Sequence, residues 1–155
     1  MKPKHKLIIS DELHRAQSEL RLPSQKSIQN LQKELEELRF SVWDDSSSIT
    51  FYDILIFYKK MIVCPQSTDA FTSLIINSIN RFLKSNMFTE SKAINEVIRC
   101  LCCCKYQITS EIECMVLEVQ ILNIFEQLLD YIDKIDFESI RNILNFCIQE
   151  IMQLN

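Results

Sequence analysis

The stretch that decides the fold runs from Thr68 to Leu83 and reads TDAFTSLIINSINRFL. Its large apolar residues recur at steps of three and four, the spacing of an α-helix rather than of a strand. They are Phe71, Leu74, Ile75, Ile79, Phe82 and Leu83. Thr68 is a suitable N-cap for this helix, and Pro65 ends the helix before it. The stretch therefore predicts a capped helix that is apolar on more than one side, as in helices sandwiched between neighbours.

The same spacing continues in both directions and predicts about seven helices and no sheet, an all-α fold. Residues 1–23 are predicted to form an N-terminal segment with one short helix, and residues 24–155 a helical-repeat domain, within a single domain overall. The third helix is predicted to span residues 50–63, and helices three to seven to be covered on both sides. The predicted helix starts are Ser10, Ser24 or Ser27, Thr50, Thr68, Thr89, the capping box Ser110–Glu113, and Asp136.

The last two predicted helices are rich in apolar residues. We expect most of these side chains to fill the core. They are Val116, Val119, Leu122, Phe125 and Leu129 in the sixth helix, and Ile140, Ile143, Leu144, Cys147 and Ile151 in the seventh.

The composition excludes several classes of function. The chain contains no glycine, and phosphate-binding loops and nucleophile elbows depend on glycine because only glycine takes positive φ without steric cost. Its formal net charge of −4 argues against broad nucleic-acid binding. The longest apolar runs are far shorter than the ~20 residues that cross a bilayer. We therefore expect no catalytic site, no bound cofactor and no nucleic-acid partner.

The chain has seven cysteines, and four of them cluster between Cys100 and Cys104. This cluster is the feature that suggests an alternative function based on cysteine chemistry. The odd number and the clustering of the cysteines are typical of free thiols in a reducing compartment. A zinc site needs ligands that converge from separate segments, whereas these neighbours share one helix and point in different directions. His5 and His14 lie far away in the sequence. We expect no metal site, but a metal- or lipid-dependent membrane adaptor remains the alternative function, and an unrelated helical scaffold a third.

An ordered series of short motifs between Ile49 and Leu129 resembles a known family. The motifs are Thr50–Leu55, Met61-Ile62, Ser67-Thr68, Ser78–Leu83, Ala93-Ile94, Cys104–Tyr106, Ile108-Thr109, Val119–Leu122 and Leu128-Leu129. The series is similar to the N-terminal dimerisation and cyclophilin-binding domain of the large Sec7-type exchange factors for Arf GTPases. The Golgi brefeldin-resistant branch is the nearest, with the Sec7, BIG and Mon2 types more distant.

This resemblance implies an armadillo- or HEAT-like stack that acts as a non-catalytic regulatory and dimerisation module in Golgi vesicle traffic. The implied partners are a second copy or the downstream regulatory helical domain of an exchange factor, with small GTPases of the Arf or Rab type as further partners. The implied location is the cytoplasm, with peripheral association at Golgi or endosomal membranes. Nucleotide exchange itself belongs to the Sec7 domain of such factors.

The resemblance also implies which charges belong to the binding surface. Arg81 would correspond to the basic interface residue, and Glu113 or Glu118 to the acidic one. On this interpretation Arg81 is a charge at the rim of an interface. Reversing it is predicted to weaken association while changing folding stability by only about 0–1 kcal/mol.

Overall fold

The computed structural model describes residues 2–20, 26–45, 48–88, 90–104 and 111–153, with the side chains of 111–114 and 153 left aside. Within these ranges the chain forms seven α-helices and one 3₁₀ helix, and no strand, which confirms the predicted all-α class. The α-helices are α1 Pro3–Glu19, α2 Lys26–Trp43, α3 Phe51–Val63, α4 Asp69–Lys84, α5 Ser91–Cys102, α6 Glu111–Leu128 and α7 Phe137–Gln153. The 3₁₀ helix, Leu129–Lys134, links α6 to α7.

Helix α1 begins at Pro3, so the predicted start at Ser10 is wrong. Proline suits the first turn of a helix because its φ is already helical and its missing N–H would have had no partner there. The helix is therefore 17 residues long. Its buried side, which includes Ile9 and Leu13, belongs to the same core as the other helices.

Three predicted helix starts are confirmed. The Phe71 N–H donates to the Thr68 hydroxyl at the start of α4. The Ser139 N–H donates to the Asp136 carboxylate at the start of α7. Helix α3 follows Thr50 as its N-cap. Such bonds satisfy backbone donors that the first turn of a helix leaves without a partner. The predicted starts at Ser24, Thr89 and Ser110 lie outside the described residues. The alternative start at Ser27 is wrong, because Ser27 lies inside α2, which already includes Lys26.

The contacts between helices arrange them in two layers. Helices α2, α3, α5 and α7 follow one another in one layer, and α1, α4 and α6 in the other. Contacts of α1 with α2, α3 with α4, and α5 with α6 join the layers. A helix with neighbours in both layers, such as α3 or α5, thus buries one side against its own layer and another against the opposite layer, which explains apolar residues on more than one side.

Helix α5 lies at the centre of the stack, in contact with α3, α6, α7 and the 3₁₀ helix. Eight of its twelve residues are buried, including the polar Asn95 and Glu96. Buried aromatic rings fill the space between α3 and α4, where Tyr58 and Phe82 stack with ring centroids 6.3 Å apart. One continuous core runs from α1 to Phe146 of α7.

The last two helices leave apolar side chains uncovered, so the prediction that they are covered on both sides is wrong. In α6 the core residues are Leu117, Ile121, Ile124, Phe125 and Leu128, whereas Val116, Val119 and Leu122 of the predicted set are exposed, as is Leu129 in the 3₁₀ helix. In α7, Leu144 and Ile151 are exposed. Only one side of each helix has a neighbour to pack on, and the other apolar side faces outward.

Candidate functional site

Arg81 lies on α4, and its guanidinium binds two carboxylates of α1. It donates to Asp11 at 2.8 Å and to Glu12. The Glu12 side chain is only 1% exposed and also accepts a hydrogen bond from the Ser78 hydroxyl at 2.5 Å. The hydrogen bond from Arg81 to Asp11 raises the pKa of Arg81 further above its usual value. Arg81 is therefore a clamp between α4 and α1.

This arrangement changes the expected cost of reversing Arg81. A glutamate at position 81 would stand beside the buried carboxylate of Glu12. An uncompensated buried charge destabilises a fold far more than the loss of a rim charge does. The contacts of Arg81 with Asp11 and buried Glu12 therefore favour the opposite prediction, that the reversal lowers folding stability. Reduced association of such a variant would not by itself identify an interface.

The two acidic candidates lie on α6. Glu113 falls in the first turn of that helix, whose side chains are outside the described part of the structure. Glu118 is half-buried and faces Glu150 of α7. Partial burial and the neighbouring Glu118 carboxylate raise the pKa of Glu150. Two carboxylates thus meet between α6 and α7.

The outer side of α7 carries an apolar stripe that the sequence analysis did not single out as a surface. Its members are Phe137, Leu144, Ile148, Ile151 and Met152, each more than half exposed. The spacing from residue 137 through 144 and 148 to 151 is that of one helical side. The opposite side, with Ser139 and Phe146, is buried, and the Phe146 ring meets Phe125 of α6 edge to face.

Helix α6 has a second exposed stripe. Met115, Val119 and Leu122 lie at steps of four and three, and Val116 is close by. Their exposed fractions range from 37% for Leu122 to 55% for Met115. The spacing signal was present in the sequence for both stripes. What it could not show is which side of each helix the neighbouring helices cover.

Carboxylates without basic partners accompany the two stripes. Glu126 continues the line of Val119 and Leu122 by one further turn. Within the described residues no basic side chain pairs with four exposed carboxylates of this region, which are Glu126, Asp130, Asp133 and Glu138. From residue 115 to 152 the sequence holds seven acidic residues against two basic ones, Lys134 and Arg141. We refer to the exposed apolar and acidic side chains of α6, the 3₁₀ helix and α7 together as the acidic apolar face.

The cysteine cluster lies at the C-terminal end of α5, where Cys100 is buried and Cys102, Cys103 and Cys104 are half-buried. Burial raises the pKa of both the Cys102 and the Cys104 thiol to about 12, and that of Cys100 well above its usual value. The thiolate is the form that binds metals and attacks acyl groups. The described residues include no group of three side chains placed to hold a metal ion. The geometry therefore gives the cysteine-based alternative little support.

Comparison of the chain with known protein families, curated proteins and solved structures finds no match. The fold and the surface must therefore be interpreted from their own chemistry. Among the described helices none is both long enough and apolar enough to span a membrane.

Proposed function

We propose that the chain is a non-catalytic helical module that works by binding another helical surface. The observation that carries this proposal is the concentration of exposed large apolar side chains on α6 and α7. Contiguous exposed apolar surface on a folded protein marks an interaction site, because leaving it in water is unfavourable. In a helical stack the last helices lack a further neighbour, so their uncovered sides offer such a surface to a partner.

The module fits the regulatory and dimerisation role that the resemblance to Sec7-type factors implies. On this proposal it takes part in Arf-dependent vesicle traffic, from the cytoplasm and at the surface of Golgi or endosomal membranes. Its partner is a second copy or the regulatory helical domain of an exchange factor. The two-layer order of the helices supports an armadillo- or HEAT-like stack as part of the proposal. The proposed mechanism is burial of the acidic apolar face, with charges at its edge selecting the partner.

Association is the first test. Sedimentation velocity of the chain, alone and mixed with the purified regulatory helical domain of a Golgi-type exchange factor, should show a dimer or a complex. Replacing Leu144 and Ile148 together by serine should abolish it. Replacing Phe40, an apolar residue on α2 that is even more exposed, should leave it unchanged. A chain that stays monomeric and binds no such domain would contradict the proposed function.

Nucleotide exchange is the second test. The purified chain should not accelerate release of a fluorescent GDP analogue from an Arf GTPase, because the proposal assigns it binding and not exchange. A separate Sec7 domain serves as the positive control. Acceleration well above the intrinsic rate by this chain alone would show that the module is catalytic.

A further inference from the structure

The acidic apolar face combines two properties that together specify the chemistry of its occupant. The α7 stripe is about 16 residues long, or about 24 Å at the rise of an α-helix. A second helix laid along it would bury the outward side chains of Leu144, Ile148 and Met152. The apolar side of an amphipathic helix can bind along an apolar stripe of this shape.

The charge around the stripes selects among amphipathic helices. Glu126 lies in line with the α6 stripe, and Glu138 lies beside the α7 stripe, both exposed and without a basic partner in the described residues. Glu118 and Glu150 add a pair of like charges between the helices. Arg141 lies over the Phe137 ring, 5.8 Å from its centroid, and is the one basic side chain on the exposed side of α7. Lysines or arginines at the edges of an incoming helix would therefore meet Glu138 beside the α7 stripe and Glu126 in line with the α6 stripe.

The same charges disfavour the other occupants. In an isologous dimer a surface pairs with itself, so two copies of this face would bring together two surfaces that each have an excess of acidic residues, seven against two basic ones between residues 115 and 152. A membrane with anionic headgroups would meet the same repulsion. We infer that the acidic apolar face binds a basic amphipathic helix of a partner protein. This inference rests on the proposed function and specifies the chemistry of the partner.

The test uses three fluorescently labelled peptides of about 20 residues, long enough for the α7 stripe. The first carries leucine along one helical side and lysine elsewhere, the second replaces its lysines by glutamate, and the third scrambles the order of the first. Fluorescence anisotropy with the full chain should give binding of the first peptide at least about tenfold tighter than of the other two. Raising NaCl from about 0.05 to about 0.5 M should weaken that binding, because the attraction is between charges.

Variants connect the binding to the face. Leu144→Ser with Ile148→Ser removes apolar area without changing charge and should weaken binding of the basic peptide by about tenfold or more. Glu126→Gln with Glu138→Gln keeps the apolar area and should reduce the preference for lysine over glutamate. Phe40→Ser on α2 is the matched control and should change neither. All these side chains are exposed, so circular dichroism should show unchanged melting.

The outcomes separate this inference from the proposed function. Equal binding of the lysine and glutamate peptides would contradict the inference that the partner helix is basic. It would remain consistent with the proposed function of binding a helix. A dimer that dissociates in the Leu144→Ser, Ile148→Ser variant would overturn the inference in favour of a second copy. Binding to phosphatidylcholine vesicles that contain phosphatidylserine, lost in the same variant, would overturn it in favour of a membrane. If the Leu144→Ser, Ile148→Ser variant changes neither peptide binding, nor dimer formation, nor vesicle binding, the acidic apolar face is not the binding surface.

Discussion

Asn95 of α5 binds the backbone of the turn that leads into α7, including the N–H of Asp136. Its carbonyl oxygen Oδ1 accepts from the Asp136 N–H at 2.9 Å, while its Nδ2 donates to the Lys134 carbonyl at 3.0 Å. Nδ2 also donates to the Ser91 carbonyl at 2.9 Å, one turn earlier in α5. One buried amide thus satisfies backbone groups on both sides of Ile135 and fixes where α7 begins.

Replacing Asn95 by alanine should lower the free energy of unfolding by about 2–3 kcal/mol, because the part-buried Asp136 N–H would lose its partner and the Lys134 carbonyl one of its two donors. For a chain of this size the melting temperature should fall by about 4–12 °C. Thermal unfolding followed by circular dichroism measures the effect. Asn145→Ala, at an exposed position of α7, is the control and should melt close to the wild type. Equal melting of the two variants would contradict the role given to Asn95.

Asp136 makes the stability of the chain depend on pH. The hydrogen bond from the Ser139 N–H, and then the charge of Arg99, lower the pKa of Asp136 below its usual value. A carboxyl whose pKa is lower in the folded state stabilises the fold above the unfolded pKa, about 3.9, and this contribution is lost as pH falls through the folded value. Asp136→Ala should therefore cost about 1 kcal/mol at pH 7, typical of a lost N-cap.

Urea unfolding of the wild type and of Asp136→Ala across this pH range measures the difference. It should shrink as the pH falls below about 4, because the wild-type carboxyl becomes protonated. A difference that stays constant down to the lowest accessible pH would show that the charge of Asp136 contributes nothing. Asp130→Ala in the neighbouring 3₁₀ helix, where the carboxylate is exposed, is the control.

Arg81→Glu should destabilise the chain by about 2–3 kcal/mol, because it places a second carboxylate beside buried Glu12. Part of the Arg81 side chain, 39%, is exposed, which keeps the cost at the lower end for a broken buried pair. Lys84→Glu changes the same charge at an exposed position of α4 and should cost less than about 1 kcal/mol. Arg81→Met combined with Glu12→Gln removes both charges and should recover part of the loss. Equal melting of Arg81→Glu and Lys84→Glu would contradict the clamp.

The spacing of residues predicted α4 well because its signals are local. The Thr68 hydroxyl accepts from the Phe71 N–H, only three residues along the chain. Phe71 and Ile75, one turn apart, lie on the same side of the helix, and both are buried. The contacts of Arg81 and Ser78 with Glu12 of α1 could not be predicted, because they join residues that are far apart in the sequence. Glu12 finds Ser78 and Arg81 more than sixty residues along the chain, and nothing in the Ser-Asp-Glu sequence shows that one carboxylate is buried.

The surface on the last two helices was missed for a different physical reason. Helix α6 has apolar residues on nearly every side, so Val119 and Ile121 are equally good core candidates by composition alone. Only the positions of α4 and α5 decide that Ile121 is buried and Val119 is exposed. A sequence pattern predicts that a helix has apolar sides. How many neighbouring helices cover those sides depends on the tertiary arrangement, which the pattern does not contain.

Thr72 and Ser78 should respond in opposite ways to the loss of a hydroxyl. Both are buried in α4, but the Thr72 hydroxyl has no hydrogen-bond partner in the described structure, whereas the Ser78 hydroxyl donates to Glu12. Thr72→Val removes an unpaired polar atom and should be neutral or stabilise by up to about 1 kcal/mol. Ser78→Ala should destabilise by about 1–2 kcal/mol. Urea unfolding measures both, and a destabilised Thr72→Val would show that its hydroxyl is bonded.

The thiols of Cys102 and Cys104 should react slowly with iodoacetamide in the folded chain. With their pKa at about 12, the thiolate fraction at pH 8 is about a thousandfold smaller than for a free cysteine. The greater nucleophilicity of a more basic thiolate offsets part of this, so the rate should fall by about a hundredfold. Trypsin cleavage after Arg99 and Lys105 releases one peptide with all four clustered cysteines. Its fragmentation spectra assign the label to each position.

Unfolding in urea is the control for this measurement, since it exposes every thiol to the reagent. Labelling of Cys102 and Cys104 should then reach the rate of a free cysteine, and in the folded chain it should rise about tenfold for each pH unit between 7 and 9. Fast labelling of the folded chain at pH 7 would mean that these thiols ionise readily. The cluster at the end of α5 would then be chemically competent to bind a metal or accept an acyl group, and the cysteine-based alternative would gain the support that the buried geometry denies it.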